Sequence, residues 1–312
     1  YVNGMPKRYP LRLTEVNQVF QWQVEQQPDL VLVDPERQLL GVILHDKPLD
    51  MLAAQAKLSS HFYYRLVALG QLAEYSQDSI QVQTIARQFL EDTFWLNRVV
   101  GIGAFEEYQG DDQSALSVVI RELAREDPVP AVRAEALSIL STFPSVQHMT
   151  DIYEALKDSA YSVVGNAISL LSEQEIPSHS LVNTIQPYES YQNVQVVLPL
   201  ADLFVNRMLE NKLPWFIANF QSLQGADRFY FIAYFSEYLL LLPEKDRTPG
   251  MEALLSVAEN DNNYYVRAAS VNALQMLDFK GVWEEKIATI IDTETDPRFF
   301  DFFGATIVSE GE

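Results

Sequence analysis

Residues 115–143 read ALSVVIRELAREDPVPAVRAEALSILSTF, and this stretch decides the architecture. Leu116, Val119, Ile120 and Leu123 recur at three- and four-residue steps, which predicts an amphipathic helix over Ala115–Arg125. Asp127-Pro128 interrupts the pattern. A second helix is expected from about Pro130 to Thr142, with Val132, Ala136, Leu137 and Leu140 turned inward. An Asp ahead of that helix suits an N-cap, because its carboxylate can accept free N–H groups there. The same order returns at Glu252–Leu277, around Asp261-Asn262-Asn263.

Working outward, the pattern becomes a weak repeat of about 34 residues. Units start at Ser59, Asp92, Asp127, Asp158, Ser190, Asp227, Asp261 and Asp296. Nine residues in stand Ala68, Gly101, Ala136, Ala167, Pro199, Ser236, Ser270 and Ala305, nearly all small, as expected where paired helices approach closely. Thirteen residues in stand Leu72, Phe105, Leu140, Leu171, Leu203, Leu240, Leu274 and Ser309. An Arg lies six residues in at Arg65, Arg98, Arg133 and Arg267, whereas Val164, Val196, Ala233 and Phe302 replace it elsewhere. The run Asp127–Leu137 resembles a HEAT-type repeat. Units that cannot bury their own apolar faces must stack, which predicts a mostly α fold built as a right-handed α–α superhelix. Pro187, Pro199, Pro214 and Pro243 predict irregular helices from Ser190 to about Asp261.

The first 46 residues differ. Gln18–Val24 alternates, with Phe20, Trp22 and Val24 on one face. Leu30–Val33 and Leu39–Leu44 are short apolar runs separated by the polar turn Asp34-Pro35-Glu36-Arg37. With Arg8–Leu13 this makes three or four strands, too few to stand alone. The expected organisation is a truncated β-sandwich over 1–46 and a helical repeat domain over 47–312, whose first helix follows Pro48. The chain opens at Tyr1 directly into strand-like sequence, so a piece of a longer protein is expected.

Composition narrows the function classes. The formal charge of −21 repels phosphate backbones and anionic membranes, so neither nucleic acid nor membrane is expected as a partner. The plain role of such charge is solubility. No run reaches the roughly 18 apolar residues a membrane span needs. The nearest, Phe229–Leu242, contains Ser236 and Glu237 and is expected as a buried helix. With no Cys there is no disulfide or thiolate chemistry. A soluble protein follows, cytoplasmic in preference to periplasmic.

A search for chemistry returns no catalytic, cofactor-binding or metal-binding residue. His45, His61, His148 and His179 lack the four-residue spacing with Glu of a zinc helix. There is no nucleophile elbow and no glycine-rich phosphate loop. Gly101-Ile102-Gly103 is explained by close helix packing, and Gly250-Met251-Glu252 by a helix start. Glu106-Glu107, Asp111-Asp112, Glu173 with Glu175, and Glu284-Glu285 read as solvated faces rather than acid–base pairs. The Arg series is expected to bond to the Asp of its own or the adjacent unit. Two aromatic clusters, Phe229-Tyr230-Phe231 with Tyr234-Phe235-Tyr238 and Phe299-Phe300 with Phe302-Phe303, are expected to fill the core, with an interface as the alternative.

Tyr9-Pro10-Leu11, Pro28–Pro35 and Leu39–Ile43 look like the end of the small β-sandwich of aminopeptidase N-like zinc metallopeptidases. Lys47-Pro48-Leu49 and the repeats that follow resemble the C-terminal domain of the same family. The resemblance runs through the whole chain in order, but the family's zinc helix and Gly-x-Met-Glu-Asn strand would lie upstream. It implies a non-catalytic domain that packs on its own upstream catalytic domain, with zinc held there and not in this chain. Its concave face would meet peptide substrates and restrict their access. Two alternatives remain: a HEAT-repeat scaffold that binds a protein partner through its concave face, and an enzyme with its site in the curve, such as a HEAT-type glycosylase.

Overall fold

A computed structural model describes residues 1–75, 80–106, 108–143 and 148–307, with backbone only at 73–75 and 303–307. Ser309 and Glu107 therefore lie outside the described residues, as do the side chains of Phe303 and Ala305. Two compact units, Tyr1–His148 and Met149–Glu312, are each built from helices. The first holds α1 (Leu49–Leu58), α2 (Phe62–Tyr75), α3 (Ile80–Phe89), α4 (Trp95–Gly103), α5 (Gln113–Glu126) and α6 (Pro130–Thr142). Helices α1 and α2, α3 and α4, and α5 and α6 pack as pairs, and α2, α4 and α6 form one row. The second unit holds α7 (Met149–Ala155), α8 (Tyr161–Glu173), α9 (Ser178–Ile185), α10 (Val194–Asn206), α11 (Leu213–Ser222), α12 (Gly225–Leu241), α13 (Thr248–Asn260), α14 (Tyr264–Leu277), α15 (Glu284–Thr293) and α16 (Pro297–Ile307). Here α8, α10, α12, α14 and α16 pack in succession, and α11, α13 and α15 form a second row.

The repeat positions explain this packing. Ala68, Ala136, Ala167 and Ser270 are fully buried, where larger side chains would separate the helices. Gly101 approaches α3 so closely that an added Cβ would stand 2.6 Å from the Phe89 Cβ. Leu72, Phe105, Leu140, Leu171, Leu203 and Leu274 are also fully buried. Leu240 is the exception at 38% exposed, because the unit assigned to Asp227 starts five residues earlier, at Ser222. In that register Phe231 and Phe235 take the inward places, and both are fully buried. Phe216 stacks on Tyr238 at 4.4 Å and on Phe235 at 5.9 Å, so the first aromatic cluster is largely core. The helix expected to be buried at Phe229–Leu242 keeps Tyr230, Leu240 and Leu241 in water, which corrects that expectation.

A second correction concerns the helix starts. The N-cap residues are Phe94, Val129, Ala160 and Asn263, none with a capping side chain. Asp92, Asp127, Asp158 and Asp261 each lie two residues earlier and accept the N–H of that N-cap residue at 2.8–2.9 Å. The carboxylate closes a turn ahead of the helix instead of capping it.

The strands expected over 1–46 are not seen. Among the described residues there is no strand or sheet, only the isolated bridge between Val2 and Met5. The alternating pattern is present, and Phe20 stacks on Trp22 at 5.8 Å. A strand also needs a neighbouring backbone for its N–H and C=O groups and a second layer over its apolar face, and this chain supplies neither to these residues. The expected polar turn does form: Asp34 accepts the N–H groups of Gln38 and Leu39 at 2.9 and 2.8 Å. Tyr64 on α2 donates to the Val33 and Asp34 carbonyls, and the Arg37 guanidinium lies 3.8 Å above the Tyr63 ring. The segment is thus pinned to the helices at its middle, where Leu30 is fully buried, while most of its other aliphatic side chains face water.

In the second unit, Pro199 lies inside α10 without breaking it. Its missing N–H leaves the Gln195 carbonyl without its usual donor four residues on. Gly165 of α8 fills that gap: a Cβ there would stand 1.9 Å from the Gln195 oxygen, so only a bare Cα fits. Gly165→Ala should therefore destabilise the chain by about 3 kcal/mol in urea unfolding, by forcing α8 and α10 apart. A loss under about 1 kcal/mol would show that the contact is relaxed.

Candidate functional site

The most organised polar array in the molecule grows from the Arg six residues into each unit. In the first unit, Arg65 donates from Nε and Nη2 to both carboxylate oxygens of Asp92, each at 2.8 Å. Its Nη1 donates back to the Ser59 and Ser60 carbonyls. Arg98 repeats the arrangement one repeat later, forked onto Asp127 at 2.7 and 2.8 Å and bonded to the Asp92 carbonyl. Arg133 donates to the Asp127 carbonyl at 2.7 Å. In the second unit, Arg267 forks onto Glu294 at 2.7 and 2.9 Å and bonds to the Asp261 carbonyl. Arg228 pairs with Asp261 and donates to the Phe220 and Gln221 carbonyls.

Arg65, Arg98, Arg228 and Arg267 therefore each tie the turn of their own repeat to the acidic residue of the next. The expectation allowed either partner; the geometry uses both, the backbone carbonyl at home and the carboxylate next door. A planar fork with five donors suits this task and a lysine does not. The side chains are nearly out of solvent, 12% exposed for Arg98 and 4% for Asp127. Burial pushes the Asp92 carboxyl up, but the Arg65 hydrogen bonds, the Phe94 N–H and the Arg65 charge outweigh it and leave it below the usual range. For Glu294 the Arg267 hydrogen bonds are the largest influence, and they hold it low against burial.

Two members of the array escaped the sequence reading. Arg228 is six residues from Ser222, so it appears once the unit register is corrected. Glu294 stands where Asp296 was assigned; Asp296 instead pairs with its near neighbour Arg298 at 2.7 Å. The signal for Glu294 was an acidic residue three positions before the Pro297 helix start, the same offset as Asp127 from Pro130.

The remaining sequence candidates stay apart. The Nδ1 of His61 accepts the Tyr63 N–H, and the Nε2 of His179 lies 3.1 Å from the Ser180 hydroxyl. Among the described residues no three His, Cys, Asp or Glu side chains gather as a metal group, and no helix is long and apolar enough to cross a membrane. Asp112 bonds to Tyr108 and Arg87, both at 2.7 Å, in a loop staple. Glu173, Glu175, Glu284 and Glu285 are exposed. Glu135 has its carboxyl pushed up by burial and by the neighbouring Glu106 charge. In comparisons with protein-family models and with curated proteins, the chain matches none.

Because Arg98 and Asp127 are both buried, removing one strands the other. Arg98→Met should cost about 3 kcal/mol or more in urea unfolding, and Arg98→Met with Asp127→Leu should recover much of it. Additive losses in that cycle would mean that the two side chains do not interact. Acid provides a second check. Asp92 and Glu294 have folded pKa values below their unfolded ones, so between those values the unfolded chain binds more protons. Their contribution is complete above the ordinary carboxylate range, about pH 4, and is lost as pH falls through the folded values. The urea midpoint should drop on acidification from pH 6 toward pH 3, and Asp92→Asn should flatten that drop. An unchanged slope in the variant would refute the assignment.

Proposed function

We propose that this chain is the non-catalytic C-terminal portion of a zinc aminopeptidase. In this reading its helix pairs continue as a right-handed superhelix, pack on the catalytic domain and narrow the path of peptides to the metal. The observation that carries the reading is the state of residues 1–46. Fourteen large apolar side chains are exposed there, against fifteen among the described residues of the rest of the chain, which are more than five times as many. Val16, Leu40, Val42 and Leu44 are each at least 88% exposed. Exposure on that scale marks a surface made for another polypeptide. The alternation suits strands completed by a neighbouring domain, and the turn pinned on Tyr63 and Tyr64 would hold that domain against the repeats.

Zinc and the attacking water belong to the catalytic domain in this reading, and this chain supplies a wall. The acidic surface favours substrates that carry a free ammonium group. Two experiments test the proposal. The purified chain should release nothing from aminoacyl nitroanilides and hold no stoichiometric zinc by elemental analysis; activity or tight zinc would overturn it. The sequence preceding Tyr1 should encode a His-Glu-x-x-His helix followed by a further Glu. A degenerate helix there would favour the scaffold. In the longer protein, amides of residues 18–44 should exchange slowly with solvent, whereas in this chain they should exchange fast.

A further inference from the structure

We propose that a second copy of this chain pairs with residues Gln18–Val24, strand to strand and antiparallel, about a two-fold axis through Gln21. Val16–Val24 reads VNQVFQWQV, nine residues without a charge in a chain of net charge −21. Like-charged copies meet at least cost where neither brings a charge. Among the described residues no hydrogen bond engages the backbone of Gln18–Val24, so its N–H and C=O groups can take a partner strand. Phe20 and Trp22 already lie on one side, stacked at 5.8 Å, as alternate residues of a strand do. Val16 is 100%, Val19 83% and Trp22 44% exposed.

The sequence fits itself in one register. With Gln21 opposite Gln21, Phe20 of each copy faces Trp22 of the other, and Gln18 faces Val24. Two aromatic pairs then form across the axis, each a stabilising cross-strand contact. The flanking acids avoid one another, Glu25 opposite Asn17 and Glu15 opposite Gln27. A slip of two residues in one sense sets Glu15 against Glu25, and in the other sense Glu15 against Asp29. Like charges directly opposite destabilise a pair. A slip of one residue brings the aromatic face of one copy to the same side as the Gln21 and Gln23 face of the other.

The contact is isologous, with the same patch used on both copies. Its size sets its strength. A strand pair of this length with its flanking valines buries less than about 1,200 Å² in total, the range of weak and reversible contacts. Dimers should therefore form at chain concentrations on the order of 0.1 mM. At low micromolar concentration the segment is single and its amides stay open to exchange. A strand has two edges, so a second copy on one leaves the other for a neighbouring domain. The pairing thus uses the same segment as the aminopeptidase reading but does not depend on it.

The chain has no cysteine, so one introduced thiol reports the register. Gln21→Cys sets two thiols opposite each other on the axis, within disulfide reach, and should give a covalent dimer when diamide takes up the two thiol hydrogens. In Gln23→Cys each thiol faces Val19 of the other copy, and the two thiols stand four residues apart along the strands, about 13 Å, so that variant should stay uncrosslinked. Sedimentation of the parent chain should pass from one copy to two between low micromolar and submillimolar concentration. Trp22→Ser should raise the dissociation constant about tenfold and lower the Gln21→Cys yield. Circular dichroism should show the helices intact in every variant. A single copy at all concentrations, equal crosslinking at positions 21 and 23, or a yield untouched by Trp22→Ser would each overturn the proposal. None of these readouts involves zinc or peptide hydrolysis, so failure here leaves the aminopeptidase reading standing, and the reverse holds too.

Discussion

A helix pair with one apolar face has no fixed position against its neighbour; dispersion and burial favour contact but not one particular register. The forked bond from each Arg to the next repeat's carboxylate supplies that register. Arg98 illustrates the economy. Its Nη1 holds the Asp92 carbonyl of its own turn while Nε and Nη2 hold Asp127 of the next. The same Asp127 carboxylate closes its own turn through the Val129 N–H. One residue type therefore sets both where a helix starts and how far away the next one lies. Because charge and donors are matched in a nearly dry site, slippage by one residue would strand both partners.

The array also shows how a chain of net charge −21 keeps its interior quiet. Its arginines are spent inside, on carboxylates that would otherwise repel one another, and the surplus acids stay in water. Where the Arg is replaced by Val, a different device sets the spacing. Val164 is buried on α8 beside Gly165, which meets the carbonyl that Pro199 has freed on α10. Steric exclusion at a bare Cα fixes that helix pair as firmly as a fork does elsewhere, without any charge to desolvate.

Much of this was legible in the sequence, and the failures have identifiable causes. The Asp127–Thr142 stretch predicts its second helix to the residue, because Pro130, the small Ala136 and the spacing of Leu137 and Leu140 all agree. The four Arg places follow from counting six residues from a unit start, Ser59 for Arg65 and an Asp for the other three. Arg228 was lost because Asp227, one residue before it, is a more conspicuous unit start than Ser222. Asp296 masked Glu294 in the same way. The alternation of 1–46 is plain in the sequence, but among the described residues no strand forms on it. Side-chain period is written in a chain, but the partner that turns a period into a sheet is not.

Two kinds of exposed apolar surface remain, and their backbones distinguish them. Along 1–46 the exposed apolar side chains sit on backbone that is pinned at Val33 and Asp34 but forms no strand among the described residues. On the proposed reading, strands there would take new backbone hydrogen bonds from a neighbouring strand, and the ordering cost would fall due on assembly. At Phe279 and Val282 the backbone is already satisfied by Asp278 and Gly281. A partner there need bring only side chains, and the stiff loop loses little entropy when it binds.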